Sequence, residues 1–254
     1  MLGGDWRGRV TDLLDWIAQA GYQGIEITNY MIGEFATRPQ DFAQELKARN
    51  LSLAAFAYSA PDGFSDPACW DADVAGARRV IDFLREFPQT CLGLGGAANP
   101  VHTRAALDQA IRFYNEVGRM GGMQGVAVNV HPHSHYGSLI ESAEEYGYLL
   151  ERLDPRYVSF GPDTGHIVRG GQDLLTCLRT NISRITHLHL KDATAEGVWV
   201  GLGEGKCDFP AVFALLAASG YDGWVVAEEE SAAARQDGIA AIRRNRMYLQ
   251  SIGY

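Results

Sequence analysis

Apolar positions along this chain alternate between two rhythms. Val10, Leu13, Leu14, Ile17 and Ala18 follow the i, i+3, i+4 spacing of one helix face, and Gly21 stands where a helix C-terminus favours glycine. Gly24-Ile25-Glu26-Ile27-Thr28 then reads as a strand. Pro39 opens a second helix carrying Phe42 and Leu46, Asn50 ends it, and Leu51 to Tyr58 is a strand. A long helix starts at Asp66-Pro67 and runs through Val80, Ile81 and Leu84, before a short strand at Cys91-Leu92-Gly93-Leu94. The next helix carries Leu107, Ile111 and Tyr114. The same alternation gives a strand ending at His131, a helix over 141–153, a strand ending in the Phe160–Asp163 turn and a helix over 173–179. It continues with a strand ending at His189, a helix opened by Asp208-Phe209-Pro210, a strand at Trp224–Glu228 and a last helix through Ile239, Ile242 and Met247.

Strands that are nearly continuous apolar runs, separated by helices, build a parallel sheet covered by helices. At 254 residues the chain can bury one large core, and one domain over 1–254 is expected. The pattern has eight helices but seven strands, and a helix comes first. A closed (β/α)8 TIM barrel opens with a strand. The expectation is therefore a (β/α)8 barrel lacking its first strand, with either a strand upstream of Met1 or a gap in the wall. In that case the Ile25 and Val225 strands have unpaired outer edges, to be bridged by another chain in a homo-oligomer or left as a crevice.

The polar residues at strand ends carry the candidate chemistry. His131-Pro132-His133 follows one strand, Asp163-Thr164-Gly165-His166 the next, and His187-Leu188-His189-Leu190-Lys191-Asp192 closes a third. In parallel barrels the pocket is built by the loops at the C-terminal ends of the strands. His131, Asp163, His189 and Glu228 fall there on four successive strands, a nitrogen and oxygen set suited to one divalent ion such as Mn, Zn, Co or Fe. Period-two alternation gives His187 the facing of His189, one layer deeper, and gives Glu228 and Glu230 a common facing opposite to Glu229. His133 and His135 have three readings: substrate contact, support of a ligand from behind, or solvated side chains.

Composition narrows the field. A net charge of −9 disfavours broad adhesion to nucleic acid. No apolar run approaches the roughly 20 residues of a membrane span, and the first residues lack a secretory pattern. Cys69, Cys91, Cys177 and Cys207 form no C-x-x-C pair, as expected of reduced thiols in a cytoplasmic protein. Gly201-Leu202-Gly203-Glu204-Gly205-Lys206 is no phosphate-binding loop, because Cys207 replaces the required Ser or Thr and no strand immediately precedes it. A flexible loop over the pocket is expected instead. Two of the three lysines, Lys191 and Lys206, lie in the stretch that follows the strand ending at His189.

At these residues the chain resembles the xylose-isomerase-like TIM-barrel superfamily of sugar isomerases and epimerases, and within it the inosose dehydratase-like group. The resemblance rests on His131-Pro132-His133, Asp163–His166, His187–Asp192, Gly203-Glu204-Gly205 and Gly223-Trp224-Val225-Val226-Ala227-Glu228. Gly21-Tyr22-Gln23-Gly24-Ile25-Glu26-Ile27 resembles the superfamily's second strand and makes Glu26 a candidate substrate contact. The resemblance implies metal ligands at His131, Asp163, His189 and Glu228 and a substrate contact at His166. Ketose 3-epimerases of the superfamily usually have Glu where His131 stands, so the two-carboxylate epimerase mechanism is in doubt here. The expected enzyme is a metal-dependent isomerase or epimerase acting on a sugar, sugar phosphate or cyclic polyol ketone through an enediolate. A dehydratase losing a β-hydroxyl is the alternative. Glu228 or Glu230 would be the base, with His133, His166 and Lys191 on substrate oxygens. An apurinic-type endonuclease or a non-catalytic sugar- or metal-binding protein are the remaining rivals.

Overall fold

The computed structural model describes residues 6–254. Helix α1 (Val10–Gln19) and strand β1 (Gly24–Thr28) come first, followed by α2 (Pro39–Ala48), β2 (Ser52–Tyr58), α3 (Trp70–Leu84) and β3 (Cys91–Gly95). Next are α4 (Arg104–Gly122), β4 (Ala127–His131), α5 (Ala143–Arg152) and β5 (Val158–Phe160). Two short helices, α6 (Thr164–Arg169) and α7 (Leu174–Asn181), lead to β6 (His187–Leu190). A small hairpin of β7 (Asp192–Ala193) and β8 (Trp199–Val200) precedes α8 (Phe209–Ser219), β9 (Trp224–Ala227), α9 (Ala232–Gln236) and α10 (Gly238–Ser251).

Strands β1 to β5 form one parallel sheet in chain order. Parallel bridges from Phe160 to Ile185 and from Asp163 to His189 carry the wall on to β6, which pairs with β9. These are the seven strands expected from the sequence, arranged as a TIM barrel with a seam. Among the described residues no strand pairs with the outer edge of β1 or of β9. A cavity of about 220 Å³ runs from the lumen beside His187 and His189 out through this seam, past Ile25 and Val225, to Leu13 of α1 and Ile242 of α10. Its base is pinched shut: a Cβ on Gly24 would lie 2.9 Å from the Trp224 ring and 2.8 Å from the Ser52 carbonyl, so only glycine fits. Tyr22 donates its hydroxyl to the Ile242 carbonyl at 3.1 Å across the same region.

Outside the wall, Phe42 of α2 packs against Phe35, Phe83 and Phe87, and Phe83 also meets Phe56 of β2 edge-on. Capping follows local chemistry. Thr103, Ser142 and Asp163 accept backbone N–H groups at the starts of α4, α5 and α6, and Ser142 with Glu145 makes a reciprocal capping box. Helix α10 runs through Ile239, Ile242 and Met247 as expected, and its buried stripe is Ala241, Asn245 and Leu249. One expectation needs correction. The Gly201–Lys206 segment is anchored: the Gly203, Gly205 and Cys207 N–H groups donate to the buried Asp192 carboxylate at 2.8–3.0 Å.

Candidate metal and acid–base site

The strand ends converge as their sequence spacing required. Phe160 ends β5, and Asp163 caps α6 by accepting the His166 N–H on Oδ1 at 2.9 Å. That bond occupies one carboxylate oxygen and leaves Oδ2, which is buried without a hydrogen-bond partner. His131, at the end of β4, donates Nδ1–H to the Gly161 carbonyl at 3.0 Å, so its Nε2 lone pair is free. His189 Nδ1 lies 2.8 Å from Glu228 Oε2. Potential ligand atoms of His131, Asp163, His189 and Glu228 all lie within 4.8 Å of one another. An orphaned carboxylate oxygen, the free His131 Nε2, the His189 Nδ1 once an ion displaces its proton, and a second carboxylate fit a divalent ion of the Mn, Zn, Co or Fe type.

Lys191, expected on substrate oxygens, lies against the Glu228 and Asp163 edge of this set. It is 1% exposed, and its main chain is clamped to the Thr164 hydroxyl by bonds of 2.7 and 3.0 Å. Its Nζ stands 3.0 Å from Glu228 Oε1, 3.4 Å from Glu230 Oε1 and 3.7 Å from Asp163 Oδ2. Burial alone would lower its pKa, but Glu228, Asp163 and Glu230 outweigh that and hold the ammonium form. Burial would raise Glu228, yet the Lys191 charge and the His189 bond hold it well below the carboxylate range. Burial pushes Asp163 up to about 6 against the pull of Lys191. His189 would be lowered by burial, but the Glu26 charge and bonds to Glu228 and Glu26 raise it to about 10.

The remaining histidines divide sharply. His166 accepts the Ser134 N–H on Nδ1 at 2.8 Å, and its Nε2 lies 3.3 Å from Lys191 Nζ. Burial and the Lys191 charge keep it neutral, and the Trp199 ring backs it at 4.9 Å. His133 packs beside both His131 and His166, with centroids 4.9 Å away, and burial with Lys191 lowers it to about 4. His135 turns out to the rim and pairs with Glu141. Of its three readings, the solvated one describes it. Glu229 faces away from Glu228 and bonds Ser231, matching the alternation. Glu26, a candidate substrate contact, lines the cavity, and its Oε2 is engaged by both His187 and His189. The endonuclease rival would need further ligands; the described residues do add two overlapping His/Glu groups, His131–His133–His166 and Glu26–His187–His189.

The family model for xylose isomerase-like TIM barrels matches residues 14–251, and the chain belongs to that family. It is 31% identical over 266 residues to an inosose dehydratase of Geobacillus thermodenitrificans, covering 92% of this chain and 86% of that one. Its fold is similar to that of 3-keto-D-glucoside 4-epimerase from E. coli, with a TM-score of 0.79 and 18% identity over 98% of this chain and 97% of the other. It is also similar in fold to a probable 3-DHS dehydratase from Bacillus anthracis, with a TM-score of 0.75 and 13% identity over 94% and 93% of the two chains. No helix among the described residues is long and apolar enough to cross a membrane.

Proposed function

We propose that this chain is a divalent-metal-dependent dehydratase acting on a small polyol ketone. The observation carrying this reading is the 3.0 Å contact between Lys191 Nζ and Glu228 Oε1, a proton donor and a proton acceptor at one edge of the ligand set. A divalent ion held by His131, Asp163, His189 and Glu228 would supply Lewis acidity to a carbonyl oxygen and make the neighbouring C–H acidic. Glu228 or Glu230 takes that proton. The hydroxyl one carbon further on leaves as the C=C bond forms, protonated to water by Lys191. Transfer of the proton from the carboxyl to the amine restores both groups. His166 Nε2 lies beside Lys191 Nζ, where the imidazole orients a substrate oxygen. The name of the curated relatives, inosose dehydratase, supports a cyclic polyol ketone as substrate.

Isomerisation or epimerisation is the second reading. It shares the first proton transfer and is favoured by structural neighbours named as epimerases. The imidazole of His131, where a two-carboxylate epimerase has its second base, weighs against it. The test is turnover of a ketose and inosose panel with Mn or Co in deuterated water, read by mass spectrometry. Dehydration gives a product lighter by one water; a product that keeps its water and is heavier only by solvent deuterium bound beside the carbonyl would assign the isomerase reading instead. A panel left untouched would sink both.

A further inference from the structure

We infer that Glu26 is a positioning residue that acts through His189, fixing the imidazole so that Nδ1 presents its lone pair to an ion in the four-ligand set. The inference rests on the metal site proposed above, and three observations carry it. Glu26 Oε2 lies 2.8 Å from His189 Nε2, while Nδ1 of the same ring faces Glu228 Oε2 at 2.8 Å. A carboxylate only accepts, so without an ion each nitrogen donates a proton; an ion beside Glu228 displaces the Nδ1 proton, and Nε2 keeps its own against Glu26. Secondly, the carboxylate is itself held, because His187 Nε2 donates to the same oxygen at 2.8 Å. His187 and His189 side chains are 3% and 7% exposed, and Glu26 is 12% exposed, so little water competes for these bonds.

The backbone supplies the third observation. The β1–β2 register slips between Ile25 and Glu26: Ile25 pairs with Leu53 but Glu26 pairs with Ala55. Such an irregularity re-aims the side chain beside it. Here it falls on the one acidic residue of β1, whose carboxylate crosses the lumen to β6. The alternative use of this cluster, as a second ion site of Glu26, His187 and His189, would require His189 to give a nitrogen to each of two ions.

The experiment titrates Co(II) into the full chain, read by calorimetry and by the visible absorption of the bound ion. Wild type, Glu26→Gln, Glu26→Ala and His189→Ala are compared, with metal-free melting curves showing that each variant is folded. One ion per chain is expected in wild type. Affinity should weaken about 10-fold in Glu26→Gln, whose amide oxygen still accepts, and closer to 100-fold in Glu26→Ala, with a shifted Co(II) spectrum in both. A merely structural glutamate would lower the melting temperature and leave the spectrum of the bound ion unchanged. Unaltered affinity and spectrum in both Glu26 variants, with binding lost in His189→Ala, would overturn the inference and leave the metal site standing. Two ions in wild type, one of them lost in Glu26→Ala, would overturn it in favour of a second ion. No ion in wild type would remove the metal reading and the inference with it.

Discussion

The two sides of the barrel are held together by different forces. From β1 to β5 the wall is a continuous backbone ladder, and β2 buries four consecutive residues, Leu53 to Phe56. On the other side β6 pairs only with β9, joins β5 through isolated bridges, and β9 has no fully buried residue. There the link across the lumen is made by side chains: Glu26 of β1 to His189 of β6 to Glu228 beyond β9. The regular side is scaffold, and its replacement by charged contacts on the irregular side is what concentrates titratable groups. The chemistry gathers where the ladder is weakest.

Several measurements would break or sharpen this contrast. The largest effect is expected on the irregular side: an Asp163→Ala, His189→Ala double variant should lose divalent metal by at least about 100-fold, read as metal content after dialysis. Retention at the wild-type level would refute the ligand set. On the regular side, Phe42→Ala should cost about 3–5 kcal/mol in denaturant unfolding, because Phe42 is fully buried among three aromatic rings, and metal affinity should be untouched. Proton competition comes next. His189, raised to about 10, must lose its Nδ1 proton to an ion, so apparent metal affinity should rise about tenfold per pH unit up to about 10. Below about 6, where Asp163 also protonates, the slope should steepen towards two protons. A flat profile from pH 6 to 9 would show that His189 enters the site already neutral. The smallest effect tests the seam itself. Ala55→Val in the closed wall should cost about 1–3 kcal/mol by overpacking, whereas Ala227→Val beside the seam cavity should change stability by less than about 1 kcal/mol. Equal costs would mean that the seam is packed as tightly as the wall.

What the sequence disclosed follows from how local each signal is. The seven strands, and the convergence of His131, Asp163, His189 and Glu228, were legible because strand ends and their polar residues are contiguous in the chain. The expected gap also lay in simple periodicity, since a helix precedes the Ile25 strand. Helix α6 was passed over although Asp163-Thr164 carries an N-cap signal, because six residues are too few to show a period. The Glu26–His189 bond spans 163 positions, and no local pattern encodes it. Lys191 was noted as a scarce residue, but its burial among three carboxylates arises only when β6 and β9 are brought together. The tether at Asp192 was hidden similarly: glycine spacing suggested a loop, and nothing in it named the carboxylate that the loop closes upon.

That tether has a kinetic meaning. Asp192 and Cys207 are fifteen positions apart, yet one carboxylate gathers the amides of Ala193, Gly203, Gly205 and Cys207 into a ring closed by hydrogen bonds. The conformational freedom of this excursion is lost when the protein folds, before any ligand arrives. The four amides should then exchange with solvent deuterium as one protected group, opening together or not at all.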